Sequence, residues 1–269
     1  MKNIFYLLPI VLLLWSCEET IQVDLDQAEP LVVIEGLITN EFRQHKIKVT
    51  RTSPFATNGQ TPRVSGASIV VEDSEGSLFE FEESEPGVYL SKQAFAGQVG
   101  YTYTLSVDVE GQRYTASDKL RPVASVDSLT IQIDEEERLD PEDEGRFYEV
   151  LVFVKEPQET EDYYLIKFYR NGEVENEEGQ IVWVFDDVML GPEIDNLPAP
   201  VYYAQDDTAR VEIYSLSRQA YRHFLDVSTN ISGDGGMFSS PPANISTNIE
   251  GGAIGVFQVS GMTFGEINL

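Results

Sequence analysis

The sequence predicts a mainly-β protein: an N-terminal β-sandwich followed by a second mainly-β domain that contains one α-helix. Three observations carry this expectation. Over Tyr101–Val109, YTYTLSVDV, apolar and polar residues alternate without a break, so odd-numbered side chains line one face and even-numbered ones meet water. From Leu31 onward, short runs rich in Val, Ile, Thr, Tyr and Phe are separated by Gly, Pro, Asn and Asp. Only one stretch, near residues 216–228, has an apolar stripe at helical spacing.

The chain opens on a leader. Lys2 is a minimal positive region, and the uncharged run Ile4–Trp15 is too short to span a bilayer core of ~30 Å as a permanent helix. It ends at Cys17, the only cysteine of the 269 residues. Leu14, Trp15 and Ser16 ahead of it resemble a lipobox, although Trp15 stands where lipoboxes carry a small residue. That resemblance implies a signal peptide over residues 1–16 and lipidation of Cys17. Glu18 and Glu19 follow directly and resemble the surface-export signal of Bacteroidota lipoproteins, which implies the outward face of the outer membrane. A polar tether that must not collapse on the membrane accounts for them equally, over residues 17–30.

The first domain is expected over residues 31–124. Its strands are Leu31–Ile38, Lys46–Thr52, Ala67–Glu72, Leu78–Glu82, Val88–Ser91, Tyr101–Val109 and Gln112–Ser117. Asp73–Gly76, Glu85–Gly87 and Glu110-Gly111 supply the turns. The runs Val64–Val71, Gly87–Tyr89 and Gly100–Tyr103 resemble those of transthyretin-like and carboxypeptidase-regulatory sandwiches, so the resemblance implies an Ig/transthyretin-like fold in an accessory role. Pro122 interrupts any strand and marks a crossing near residue 124.

The second domain is expected over residues 125–269. Leu129–Asp134, Tyr148–Val154, Tyr163–Arg170, Ile181–Asp187 and Ala209–Tyr214 read as strands, with a hairpin turn at Asn171-Gly172. In the helix, Leu216, Ala220, Phe224 and Val227 form the stripe and Ser215 is the expected cap. A long irregular loop, Gly233–Gly252, then leads into one closing strand. Pro241-Pro242-Ala243-Asn244, Asn248-Ile249 and Gly251-Gly252-x-x-Gly255 followed by Phe257 resemble the C-terminal signature of family 4249 of the domains of unknown function. Cys17-Glu18-Glu19 and Leu31–Gly36 are similar to the start of its members. The family is one of Bacteroidota outer-membrane lipoproteins without an assigned activity. Its members often accompany TonB-dependent receptors, so the implied partner is a SusC-like TonB-dependent outer-membrane receptor. Phe238, Pro241, Pro242 and Asn244 are the candidate contact loop.

Chemistry-bearing motifs are few. There are 46 Asp and Glu against 18 Lys and Arg, a net charge of −28, which would repel nucleic acid and disfavours adhesion to anionic lipid. His45 and His223 are the whole imidazole supply and read as surface residues. No HExxH, CxxC or GxSxG occurs, so no catalytic residue, metal or cofactor is expected. The acidic run Asp134–Gly145 reads as an exposed inter-strand loop, because Leu151 stands where a calcium loop beginning at Asp140 needs Glu. Ser128 and Thr208, in Asp-Ser-Leu and Asp-Thr-Ala, resemble O-glycosylation sequons. Trp183, Tyr202, Tyr203 and Tyr221 are read first as packing and second as sugar-stacking residues. The expected function is a non-enzymatic, surface-exposed accessory of a transporter; the alternative is a free-standing glycan- or protein-binding module.

Overall fold

The computed structural model describes residues 29–53, 61–140, 145–155, 162–175, 183–186, 194–231 and 244–269. In chain order the elements are β1 (Val32–Thr39), β2 (Lys46–Arg51), β3 (Ser68–Asp73), β4 (Leu78–Glu85), β5 (Val88–Ser91), β6 (Thr102–Val109), β7 (Gln112–Lys119), β8 (Ser125–Ile133) and α1 (Glu135–Leu139). There follow β9 (Tyr148–Lys155), β10 (Tyr163–Arg170), β11 (Glu173–Val174), β12 (Trp183–Asp186), β13 (Ile194–Tyr203), β14 (Thr208–Ser215), α2 (Arg218–Ile231), β15 (Ile254–Ser260) and β16 (Met262–Asn268). The protein is mainly β, as the sequence predicts.

The first body is one eight-stranded sheet in the order β15-β1-β2-β5-β4-β3-β6-β7. Its inward residues follow from strand alternation: Ile34 and Ile38, Ile47 and Val49, Ile69 and Val71, and Tyr103, Leu105 and Val107 pack into a single core. The turns that reverse it are local. Glu110 and Gly111 both take positive φ, 52° and 82°, which suits a two-residue hairpin between β6 and β7.

The second body is a sandwich of two sheets, β13-β9-β8 against β11-β10-β14-β16, with β12 also paired to β10. Val150, Val152 and Val154 from one sheet meet Tyr164, Ile166, Phe168, Val211 and Ile213 from the other. β13 escapes the sequence reading because Pro198 and Pro200 argue against a strand; it survives as an edge strand with register shifts on either side of Leu197-Pro198. The acidic run is not simply a loop, since Asp134 caps α1 by accepting from the backbone N–H of Glu136 and Glu137.

Sheet topology corrects the expected division into consecutive domains 31–124 and 125–269. After α2 the chain returns to the first body, where β15 pairs in parallel with β1, and only then enters the second body as β16 beside β14. Two strands, not one, close the chain. Both crossings run side by side, with Arg121 and Ser260 bridged in parallel. Ser215 holds them: its hydroxyl donates to the Arg121 carbonyl at 3.0 Å and accepts from the Gly261 N–H at 2.9 Å. Ser215 is therefore the clamp of the crossing, and the helix cap is Ser217, whose hydroxyl accepts from the Ala220 N–H at 3.2 Å.

The second edge of β15 is satisfied mostly by side chains. Thr247 Oγ1 donates to the Gly255 carbonyl, Asn248 both accepts from the Phe257 N–H and donates to its carbonyl, and Asp118 accepts from the Val259 N–H. Asp118 is buried and burial pushes its carboxyl up, opposed by the N–H groups of Val259 and Lys119 and by Arg121. The tail signature thus has a physical reading. Asn248 stands in for a missing strand, and the Phe257 ring lies over Gly36, where a Cβ would come within 2.9 Å of it. Gly255, at φ 109°, has no room at all, since a Cβ there would lie 2.1 Å from the Ile34 carbonyl oxygen.

Gly255→Ala combines a forbidden φ with a backbone clash in the closing strand. It is expected to lower stability by about 3 kcal/mol or more, measured by urea unfolding; a loss below about 1 kcal/mol would mean that β15 is not seated against β1 as described.

Candidate functional site

An apolar cluster runs from β10 and β14 of the second body through α2 to β15 of the first, with Leu37 of β1 packed against it. On β10, Tyr164, Ile166 and Phe168 face the sandwich core, so Tyr163, Leu165, Lys167 and Tyr169 face outward. Likewise Arg210, Glu212 and Tyr214 share the outward face of β14, while Ala209, Val211 and Ile213 are core. Leu165 and Tyr214 pack with Leu216, Ala220 and Tyr221 around α2 and with Val256 and Leu37 of the first body. This is an apolar seam, and polar residues continue it on the sheet.

Glu212 is the centre of the polar part. It is 9% exposed; Oε2 accepts from the Tyr169 hydroxyl at 2.7 Å and the Tyr214 hydroxyl at 2.6 Å, and Oε1 accepts from Arg210 Nε at 3.0 Å. Burial alone would raise its carboxyl, but the donors from Tyr214, Tyr169 and Arg210 more than offset this and hold it below the usual range. Burial, then the carboxylate, pushes both tyrosines upward. The carboxylate is saturated with donors and the phenols stay protonated, so the cluster is a closed hydrogen-bonded network. Arg210 extends it, its guanidinium 3.7 Å from the centroid of the Phe264 ring, which is 49% exposed.

Lys167, the cross-strand neighbour of Glu212, feels the fields of cations on β2 and the turn before it. Lys46 is the cross-strand neighbour of Leu37, and Lys48 that of Glu35. Lys167 reaches over the Tyr214 ring, its Nζ 5.0 Å from the centroid. Burial, together with the fields of Arg43, Lys46 and Lys48 and against the pull of Glu212, holds Lys167 below the usual lysine range. Beyond Lys48 a groove of about 560 Å³ continues along β2, lined also by Glu35, Arg51 and Arg63. Arg51 is paired there with Glu110. Charge in this acidic chain is therefore strongly uneven.

Both histidines correct the surface reading. His45 is fully buried between β1 and β2, Nε2 bonded to the Phe95 carbonyl at 2.9 Å, and Nδ1 is the one buried side-chain polar atom among the described residues without a hydrogen bond. His223, 8% exposed, donates from Nδ1 to the Ser246 carbonyl at 2.6 Å. Both are held down by burial, His45 to about 4. No signal in the sequence separates them from surface residues, since each is enclosed by segments distant in the chain.

The residues singled out by motif are not brought together. Ser128 is exposed at a register shift in β8. Thr208 is half-buried in β14, its hydroxyl donating to Asn268 Oδ1 at 2.8 Å. Asn244 is exposed, whereas Cys17, Phe238, Pro241 and Pro242 lie outside the described residues. Tyr203 and Tyr221 are buried, Tyr202 donates to Asp134, and the Trp183 side chain also lies outside them. Among the described residues no three His, Cys, Asp or Glu side chains are placed to hold a metal ion, and no helix is long and apolar enough to cross a membrane.

Two β bodies joined by one doubled crossing, each completed by one of the two closing strands, define the class of fold. The chain belongs to the family described as Domain of unknown function (DUF4249), whose model matches residues 18–263. No curated protein matches it. Among solved structures it is similar to a two fibronectin type-III domain segment from chicken tenascin, at 13% identity and TM-score 0.22, covering 70% of this chain and 91% of that one. It is also similar to a DUF4785 family protein from Legionella pneumophila, at 9% identity and TM-score 0.24, covering 68% and 51%.

Two outcomes are expected. Any O-glycan on the native protein is expected at Ser128 and not at Thr208, whose hydroxyl is engaged between strands; peptide mass spectrometry reads this directly, and a modified Thr208 would contradict it. The second concerns pH. With falling pH the unfolded chain protonates His45 near 6.5 whereas the native state resists to about 4, so stability is complete above 6.5 and is lost between these values. The His45 share is about 3 kcal/mol, and urea unfolding from pH 7 to 4 is expected to show a shallower decline in His45→Gln.

Proposed function

We propose that this chain is a surface-exposed outer-membrane lipoprotein, anchored through Cys17, that serves without catalysis as an accessory or binding subunit of a TonB-dependent transporter. The observation that carries the reading is the lipobox-like leader ending in the sole cysteine, twelve residues ahead of Glu29. A tether of that length spans at most roughly 40 Å fully extended, so an acylated Cys17 would hold both bodies close to the membrane. Confinement raises effective concentration beside an integral barrel, and a modest interface then suffices for a complex. Contact with a partner at Asn244 is supported by the fastening of the chain two residues on: the Ser246 N–H donates to Asp226 at 2.8 Å and its carbonyl accepts from His223. The non-enzymatic part is supported by neutral, backbone-bonded histidines and a donor-saturated Glu212.

A second reading is favoured by the Phe264–Arg210 pair. An exposed ring backed by a guanidinium, beside a fixed array of hydroxyls, is a platform on which a sugar ring or a partner's side chain could stack. On this reading the chain is a free-standing surface module that binds glycan or protein.

The full-length lipoprotein, affinity-purified from gently solubilised outer membranes, is expected to bring a TonB-dependent receptor with it, and Cys17→Ala to lose most of that yield. Recovery of the protein alone, under conditions that keep known envelope complexes intact, would overturn the transporter reading and favour the second.

A further inference from the structure

We propose that the cavity between the end of β7 and the start of α2, lined by Lys119, Arg121 and Arg218, is a binding site for an acidic sugar, whose carboxylate or phosphate group meets the three cations. The inference is independent of the transporter reading, since it rests on this cavity alone. The crossing brings its walls together. Ser215 donates to the Arg121 carbonyl at 3.0 Å, and α2 begins three residues later at Arg218, so the helix starts beside the strand end that carries Lys119. Arg121 is fixed between them, its Nη1 donating to the Lys119 carbonyl at 3.0 Å and to Asp118 Oδ1 at 3.2 Å. The cavity measures about 390 Å³.

Charge and polarity of the walls name the ligand. Asp118 is the one carboxylate among the lining residues, and it is already committed: it is buried and accepts from the N–H groups of Val259 and Lys119 and from Arg121. Glu72, outward on β3, stands two strands away, opposite Thr104, which is in turn opposite Ser117. Lys119 and Arg218 are exposed, and among the described residues neither side chain has a hydrogen bond or ion pair. Three cations thus share one satisfied carboxylate, in a chain with 46 acidic residues against 18 basic ones. Guanidinium groups offer paired donors to an oxyanion, and the ammonium adds a further charge. Every lining side chain is polar, so an apolar ligand would find no matching surface. The Ser117 and Ser217 hydroxyls are engaged with Thr104 and the Ala220 N–H, which leaves Thr102, opposite Lys119, and Gln219 to meet the hydroxyls of a ligand. The volume falls at the lower end of the roughly 300–1,000 Å³ of small-molecule sites, which suits one sugar ring with its acid group better than an inorganic ion.

The acid group could be a carboxylate or a phosphate, and the experiment separates these. Glucuronate and glucose 6-phosphate are titrated into the purified full-length chain at constant ionic strength, with glucose as the neutral reference, following heat and melting temperature. Wild type is expected to bind at least one of the acids, to be stabilised by it, and to give no response to glucose; the acid that binds more tightly identifies the anionic group. Arg218→Gln and Lys119→Gln are each expected to weaken binding at least fivefold. Arg113→Gln makes the same change of net charge on the same strand, six residues before Lys119 and so about 20 Å away, and is expected to leave binding within twofold of wild type. Without ligand, both cavity variants are expected to melt as wild type does, since neither side chain has a partner to lose; this shows that their weaker binding is not misfolding. No heat or stabilisation with either acid, an equal response to glucose, or equal losses in Arg113→Gln and the cavity variants would overturn the proposal.

Discussion

The structure depends on the way β15 is held at both of its edges. One edge has a regular parallel ladder with β1; the other has a row of side chains, Thr247, Asn248 and Asp118, each meeting a backbone group that would otherwise be unpaired. A buried peptide group without a partner costs about 1–3 kcal/mol, so this row decides whether the last strand of the first body can exist. It also positions the crossing. With Val259 bonded to Asp118, Ser260 and Gly261 arrive beside Arg121, where the Ser215 hydroxyl ties both passages of the chain. Gly261 has no alternative, because a Cβ there would lie 2.5 Å from the Arg121 carbonyl oxygen.

This shared crossing links two sandwich-like bodies through two passages of the chain laid side by side. The outward faces of β10 and β14 carry unusual electrostatics for so acidic a chain. A carboxylate that most acidic surfaces would leave to water, Glu212, is buried and given three donors, and Lys167 on the neighbouring strand is partly withdrawn from water, which holds it below the usual lysine range.

Local features of the fold were legible in the sequence. The alternation over residues 101–109 gave β6 because that strand is buried on one face and wetted on the other, and Glu110-Gly111 and Asn171-Gly172 announced turns through residues that tolerate positive φ. Non-local features were not. Nothing near Ile254 says that its strand will lie beside β1, more than two hundred residues away, and the Pro122 crossing looked like a domain boundary because its twin at Gly261 lies far along the chain. β13 was hidden by prolines that an edge strand accommodates. The Glu212 cluster was legible least: Lys167, Glu212 and Tyr214 sit at ordinary outward positions of ordinary strands, and only the pairing of β10 with β14 and the burial of that face make them unusual. His45 and His223 were misread for the same reason.

The position of β15 and β16 behind all of their partner strands has a consequence for how the molecule comes into being. A ribosome delivers residues from first to last, and β1 appears more than two hundred residues before the strand that completes its edge. β14 likewise waits for β16. Each body lacks one strand until residues 254–268 have emerged. Long-range pairing of this kind keeps a nascent chain open while its partner strands are still to come. The order of strands thus acts as a timer, deferring closure of both bodies until β15 and β16 have been made.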